Sequence, residues 1–442
     1  MATIHNDPER LFAASAPGRA DFLNTHQDYK GLPVVPVALD LRTYMVAAKT
    51  SSSGTIEAVS LDLEEKGEDH EETFIIGEDL VYGEKGSFGN YLRAVAKVAL
   101  ATGRKTSARH ETKSFGLSVL IKSQVPVSAG LGSSAALEIC FATLLNKAYG
   151  LRLGPKGLAE VGFQAENVEL GIPCGRLDQY GSSFGGVIIV ECRPPYSVRR
   201  IPFKNLWFVV VDTGIRHSTA KIHPVRQGEL NRGLKALLEN KSIGGELRNK
   251  LSPRFDEAKW SELSEEELSP YLSTLDEVSE KRILFTLRMQ RSTELALAIM
   301  EKGAKAKEFV SKAQKIAGLK ELLPSREFEF SRSQNRILQL LGSIMNYQHL
   351  LLRDLYDVSL PEIENIREAM LGVEAYGVKI SGAGLGGSVI ALVGGKSNGK
   401  ASLETALKAG AKQGWVSSVG AGARIENEKD INIQRILKQH PI

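Results

Sequence analysis

The chain has 442 residues, 42% of them hydrophobic and 24% charged, with a formal net charge of +4. That length supports two domains of a soluble globular protein, and a mild charge carried by scattered basic residues speaks against a nucleic-acid partner. No apolar run approaches the roughly 18 residues of a membrane span, the first residues lack signal-peptide character, and three widely spaced cysteines (Cys140, Cys174, Cys192) point to reduced thiols in the cytoplasm.

In chain order, Arg42–Ala48 reads as the first clear strand, rich in β-branched and aromatic residues. Asn90–Leu100 has helical periodicity, Gly116–Lys122 alternates as a strand, and Ala135–Tyr149 repeats apolar residues at three and four. Another helix follows Pro155, and Val187–Glu191 is a strand. Arg193–Tyr196 is a break, after which Leu206–Asp212 reads as a buried strand. Helical patterns dominate Val225–Met370, with breaks at Leu251–Arg254 and Leu323–Ser325. The strands Val378–Ile380 and Ser388–Val393 flank a glycine loop near the end. The pattern is α+β, in two lobes joined near residues 193–206, with expected domains 1–200 and 201–442.

Three segments carry chemistry. Val125–Ala136, Val-Pro-Val-Ser-Ala-Gly-Leu-Gly-Ser-Ser-Ala-Ala, links a strand to a helix N-terminus. Small residues there expose backbone N–H groups beside a helix dipole worth roughly half a charge, which suits a phosphate. Ser15–Gly31 crowds Arg19, Asp21, Asn24, His26, Gln27 and Asp28 between apolar residues, a density fitted to a polyhydroxylated ligand. Lys379–Ser388 holds a second glycine loop that allows close backbone approach to a ligand. Each segment alone also has a plain structural reading: a glycine-rich helix start, a capped solvated loop, a hairpin connection.

Together, in this order, they resemble the GHMP kinases, and within them the galactokinase branch. The narrower resemblance is carried by Pro17-Gly-Arg19 with His26-Gln-Asp-Tyr29, by Gly89-Asn-Tyr-Leu-Arg93, by Ala165 to Gln179 with its Cys-Gly-Arg-Leu-Asp-Gln, and by Gly214-Ile-Arg-His-Ser218. Leu352–Ile363 looks like the helix that precedes the last glycine loop in that branch. The resemblance implies a mixed α/β N-terminal lobe and a ferredoxin-like α+β C-terminal lobe with a helical insertion. It implies ATP- and Mg2+-dependent phosphorylation of the anomeric hydroxyl of galactose or a related sugar, by a monomer or homodimer. Asp178 matches the catalytic aspartate and Arg19 the arginine beside it. Val127, Ser128, Ala129, Gly130, Leu131, Gly132, Ser133, Ser134 and Ala135 match the loop that holds the triphosphate. Ser134 and Glu166 match the magnesium ligands. Thr25, His26, Asp28, Gly175, Asp178, His223 and Gly384 fall on sugar-contacting positions.

Two departures bear on the sugar. Asn24-Thr25-His26 stands where galactokinases usually carry Gly-Glu-His, and His223 stands where they carry a tyrosine. Loss of a carboxylate and gain of a histidine leave galacturonate, arabinose and N-acetylgalactosamine open beside galactose. Mevalonate- or homoserine-type kinase activity and a catalytically inactive sugar sensor are the other readings. Gly181–Gly185 fits a hydrolase Gly-x-Ser-x-Gly pattern, but the required strand before it reads as a polar loop. Val393–Ser397 lacks the first glycine of a phosphate-binding P-loop, and the histidines, including the expected loop pair His217 and His223, show no metal-ligand spacing.

Overall fold

The computed structural model describes residues 11–76, 80–106, 115–127, 129–203, 205–216, 219–302, 311, 316–319 and 334–427. The first sheet is built from β1 (Leu11–Leu23), β2 (Val35–Thr50), β3 (Thr55–Ser60), β4 (Glu71–Ile75), β5 (Gly116–Ser123), β6 (Val187–Val190) and β7 (Val198–Ile201). The second comprises β8 (Trp207–Asp212), β9 (Gly377–Ser381), β10 (Ser388–Val393) and β11 (Gln413–Ser418). A last short strand, β12 (Arg424–Glu426), returns to pair with β1, so the first sheet runs β12-β1-β2-β5-β3-β4, with β6 and β7 attached to β2. Among the described residues, only the β3–β5 pair is parallel. The second sheet, β11-β8-β10-β9, is antiparallel throughout.

Helices α1 (Leu61–Glu64), α2 (Phe88–Thr106), α3 (Ser133–Ala148), α4 (Pro155–Phe163) and α5 (Leu177–Phe184) belong to the first half of the chain. α3 is apolar on nearly every side, from Ala135 to Leu145, and is accordingly buried against α2 and the first sheet. α6 (Thr219–Glu239), α7 (Gly245–Arg248), α8 (Glu265–Leu272) and α9 (Glu277–Lys302) form the helical insertion, with a core of Leu230, Leu234, Trp260, Leu268 and Ile283. α10 (Gln334–Asp354), α11 (Pro361–Leu371) and α12 (Lys396–Lys408) cover the second sheet. Among the described residues no helix is long and apolar enough to cross a membrane.

The expected strands and helices are present, most of them longer than their sequence patterns, except that Leu352–Ile363, expected as one helix, spans the end of α10, a non-helical stretch at 355–360 and the start of α11. The main departure is β1, which runs through Ser15-Ala-Pro-Gly-Arg, where Pro17 and Gly18 look like breakers. The strand accommodates them because its pairing with β2 shifts between Pro17 and Arg19, a bulge that leaves the proline without a ladder bond to make. A Cβ on Gly18 would lie 2.8 Å from Val125 and 3.0 Å from the Leu131 carbonyl, so the phosphate loop lies on β1 there. Two further corrections follow. Gly181–Gly185 forms the last turn and cap of helix α5, with helix and not the expected polar loop before it, and Ser183 is a buried helical residue donating to the Pro155 carbonyl at 2.6 Å. His223 sits in α6 instead of a loop, while His217 and the break at Leu323–Ser325 lie outside the described residues.

Candidate active site

The β1 bulge aims Arg19 across to α5, where Asp178 occupies the first turn and meets the positive end of the helix dipole. Arg19 Nη2 lies 2.6 Å from Asp178 Oδ1, and Arg19 Nε donates to the same oxygen at 2.9 Å. The third guanidinium nitrogen, Nη1, donates to the Gly130 carbonyl at 2.6 Å and lies 3.8 Å from Asp21 Oδ1. Burial works against the Arg19 charge, but Asp178, Asp21 and Glu166 outweigh it and raise the guanidinium pKa. The Asp178 side chain keeps 29% exposure, against 8% for Arg19, so its carboxyl stays reachable from solvent.

The phosphate loop wraps this pair. A Cβ on Gly132 would lie 3.4 Å from the Arg19 side chain and 3.6 Å from Asp178 Oδ2. Gly130 (φ 71°) and Gly132 (φ 66°) adopt left-handed backbone, which only glycine enters without cost, and α3 begins at Ser133. The first N–H groups of α3, at Ser133, Ser134 and Ala135, have no partner within their own helix. Val127 and Gly130 are exposed and Ala129 and Leu131 buried; Ser128 lies outside the described residues.

Beside the loop, Ser134 Oγ donates to Glu166 Oε1 at 3.2 Å. Gln179 donates to Glu166 Oε2 at 2.6 Å and to Glu138 Oε2 at 3.2 Å. Burial, and then the Asp178 charge, push the Glu166 carboxyl up to about 7, and burial pushes Glu138 up as well. Glu138 Oε1 is buried without a hydrogen-bond partner. Hydroxyl and carboxylate oxygens short of compensating charge suit a hard divalent cation. No cluster of three or more acidic, histidine or cysteine ligands forms among the described residues. Magnesium would ask for no such cluster, because it keeps waters and phosphate oxygens and takes only one or two protein carboxylates.

The expected sugar residues lie in the turn after β1 and on segments that pack near it. Asn24 (φ 64°) and His26 (φ 65°) hold left-handed backbone in the turn after β1, a strain concentrated at functional turns. Thr25 Oγ1 accepts from Lys379 Nζ at 2.8 Å. His26 Nε2 lies 3.1 Å from the carbonyl of Ala383, next to Gly384, and its ring centroid is 5.4 Å from that of His223. Burial, His223 and Lys30 hold His26 well below the usual imidazole range, and burial lowers His223 too. A Cβ on Gly175 would sit 2.4 Å from Asp28 Oδ2, so the two residues touch. Burial, with Asp21 and Asp178 nearby, pushes the Asp28 carboxyl up to about 6. His223 Nε2 is buried without a partner. Gly384 (φ 82°) is pinned against Val358, whose carbonyl a Cβ would meet at 2.5 Å.

Lys379, Glu138, Ser381 and Ser388 escape the sequence reading, and Asp21 enters it only as one member of a polar cluster. Lys379 is wholly buried and donates to Asp21 O (2.9 Å), Thr25 Oγ1 (2.8 Å) and Ile380 O (2.8 Å); burial lowers its pKa to about 8. A lysine inside the apolar strand Val378-Lys-Ile380 was the available signal. A cavity of about 180 Å3 lies between α2 and the π-type turn Gln164–Glu169, lined by Tyr82, Gly83, Asn90, Tyr91, Glu169 and Leu170. It adjoins the loop end of the site, since Glu166 and Glu138 help burial raise the Tyr91 hydroxyl to about 12.

Family models match three stretches of the chain. Residues 90–186 match the GHMP kinases N terminal domain and residues 333–421 the GHMP kinases C terminal domain. The chain belongs to the GHMP kinases. Residues 2–49 of this kinase match the galactokinase galactose-binding signature, which marks a galactose-type sugar kinase. Its fold is similar to that of Lactococcus lactis galactokinase complexed with galactose, at 22% identity and TM-score 0.69, over 95% of this chain and 96% of that one. L. major mevalonate kinase in complex with R-mevalonate is 18% identical, TM-score 0.58, over 92% of this chain and 96% of that one. Methanococcus jannaschii mevalonate kinase is 17% identical, TM-score 0.60, over 92% and 98%. At these identities the likeness is one of fold, the two-lobed GHMP architecture.

Proposed function

We propose that this kinase transfers the terminal phosphoryl group of ATP to the anomeric hydroxyl of galactose or a galactose-like sugar, giving the sugar 1-phosphate and ADP. One observation carries the reading: the Arg19–Asp178 pair touches the glycine loop through Gly130 and Gly132, and Asp178 lies close enough to Asp28, which packs on Gly175, for its charge to help raise that carboxyl. Phosphoryl transfer asks a protein chiefly for alignment and charge stabilisation, and alignment alone is worth about 7–11 kcal/mol. Asp178 Oδ2 accepts the proton of the attacking hydroxyl, while Oδ1 stays bonded to Arg19. Arg19 offsets the negative charge that develops between donor and acceptor. Asp28, His26 and His223 pair with the sugar hydroxyls, and the Gly175 backbone leaves room for them. The N–H groups of Gly130 to Ala135 hold the triphosphate, with the base directed toward the cavity at Tyr91. Ser134 and Glu166 would hold Mg2+, which when bound supplies charge neutralisation between the phosphates. In this reading the lobes divide at residues 1–200 and 201–442, with β12 returning to the first.

The test is ADP release with galactose, galacturonate, arabinose and N-acetylgalactosamine at saturating MgATP. Turnover is expected with galactose or one of its relatives in that panel. Release with none of them, alongside intact ATP binding, would favour the inactive sensor and overturn the proposal.

A further inference from the structure

The glycine loop 382–387 connects β9 to β10, and the residues flanking it, Ser381 and Ser388, are partners on the same rung. Both are buried. Ser381 Oγ accepts the Asp21 N–H at 3.0 Å, on the strand that carries Arg19. Ser388 Oγ donates to the Ala129 carbonyl in the phosphate loop. One rung of the second sheet therefore grips the acceptor-side strand with one serine and the donor-side loop with the other. A Cβ on Gly130 would lie 3.6 Å from Ser381 O and 3.9 Å from Ser388 Oγ, so the loop rests directly on that rung.

The carbonyls of Ala129, Gly130 and Leu131 are all tied back to the protein. Ala129 is held by Ser388, Gly130 by Arg19 Nη1 at 2.6 Å, and Leu131 by the Arg19 N–H at 2.9 Å. With those carbonyls turned inward and left-handed backbone at Gly130 and Gly132, the intervening N–H groups face outward as an anion-binding concavity. Arg19 supplies two of these ties while also holding Asp178. The remaining tie comes from the far end of the chain, across a sequence separation of 259 residues.

We propose that Ser388 is a positioning residue for phosphoryl transfer: its hydroxyl fixes the Ala129 carbonyl and thereby sets the loop N–H groups for the triphosphate, without touching either substrate. The proposal rests on ATP being the phosphoryl donor. Without the hydroxyl, the Ala129 carbonyl is left buried and unpaired, and the peptide turns to find another donor, carrying the loop with it. Because Ser381 grips β1 instead, its removal leaves the triphosphate concavity in place.

Ser388→Ala is expected to raise KM for ATP, and the calorimetric Kd for MgATP, by roughly tenfold. KM for the sugar stays within about twofold, and the unfolding midpoint moves by only a few degrees. Ser388→Cys keeps the shape with a weaker donor and falls between alanine and wild type. Ser381→Ala leaves MgATP affinity unchanged. Equal MgATP affinity in wild type and Ser388→Ala overturns the proposal, as does a parallel rise in both KM values with a large loss of midpoint, which marks general loosening. A wild-type protein that binds no MgATP overturns the kinase reading itself.

Discussion

Asp178→Asn isolates the proton acceptor from the architecture around it. Asp178 Oδ1 takes both Arg19 contacts, at 2.6 and 2.9 Å, while the Oδ2 side faces Gly132 and the cleft. An asparagine can turn its carbonyl oxygen to Arg19 and keep both donated bonds, presenting an NH2 to the cleft. Shape is then conserved, and what is lost is a negative charge and the only lone pair able to take the hydroxyl proton. Loss of a general base typically costs 10²–10⁴-fold in rate, or about 3–5 kcal/mol of barrier. Arg19 loses one compensating charge but retains the Gly130 carbonyl, with Asp21 at 3.8 Å, so the cost in stability is about 2 kcal/mol, below that of stripping a fully buried partner. The assay is coupled ADP release for kcat, with calorimetric titration of MgATP and sugar for binding. The expected outcome is a fall of at least about 100-fold in kcat with both affinities retained. A rate near wild type removes Asp178 from proton transfer. Joint loss of both affinities refutes the claim that the pair stands in a preformed cleft.

Gly175→Ala places a methyl 2.4 Å from Asp28 Oδ2 and drives that carboxylate aside; KM for the sugar should rise on the order of 10-fold or more with KM for ATP unchanged. An unchanged sugar KM would show that Asp28 does not face the sugar. Lys379→Met leaves Asp21 O, Thr25 Oγ1 and Ile380 O without their buried donor, and denaturant titration should show a loss of about 3 kcal/mol. A loss under about 1 kcal/mol would mean that the ammonium adds little to stability. Asp28, raised from 3.8 to about 6 chiefly by burial, must be ionised to accept sugar hydroxyls, so kcat/KM for the sugar should fall as pH drops below about 6. Because the folded value lies above the unfolded one, the same group adds stability below pH 3.8 that is lost as pH rises to about 6. Asp28→Asn should flatten that limb of the pH profile, and an unaltered limb assigns it to another group.

The parts of this site visible in the sequence are those whose signal is local. Gly130-Leu-Gly132 and Ser133-Ser134 announce a phosphate loop because backbone freedom and a helix start are written into adjacent residues. Asp178 and Glu166 were readable only through the motif around them, since a carboxylate in a helical segment has no local mark of function. β1 was hidden by Pro17 and Gly18, whose breaker character is overridden by a bulge and by packing against Val125 and Leu131. Lys379 offers only a lysine inside an apolar strand, and Glu138 and Ser388 carry no local mark of their role. Their partners Thr25, Gln179 and Ala129 lie 354, 41 and 259 residues away, and only the closed fold brings them together.

Early and late segments of the described chain meet around the reacting centre, and that explains why the site tolerates so much buried charge. Arg42, almost wholly buried, donates to Ser15 and to the carbonyls of Ala421 and Gly422, stitching the stretch before β12 onto the sheet that carries Arg19. Lys379 makes the same kind of link from β9 to the backbone of Asp21. A buried cation is costly unless its donors are satisfied, and here each is satisfied largely by oxygens from a distant segment, Ser15, Ala421 and Gly422 for Arg42 and Asp21 and Thr25 for Lys379. Sliding the second sheet off β1 would take Asp21 O and Thr25 Oγ1 from Lys379 and leave its ammonium with the Ile380 carbonyl. The geometry of Arg19 and Asp178 is therefore set by polar anchors that discriminate strongly against misalignment, where apolar packing alone would tolerate small slips.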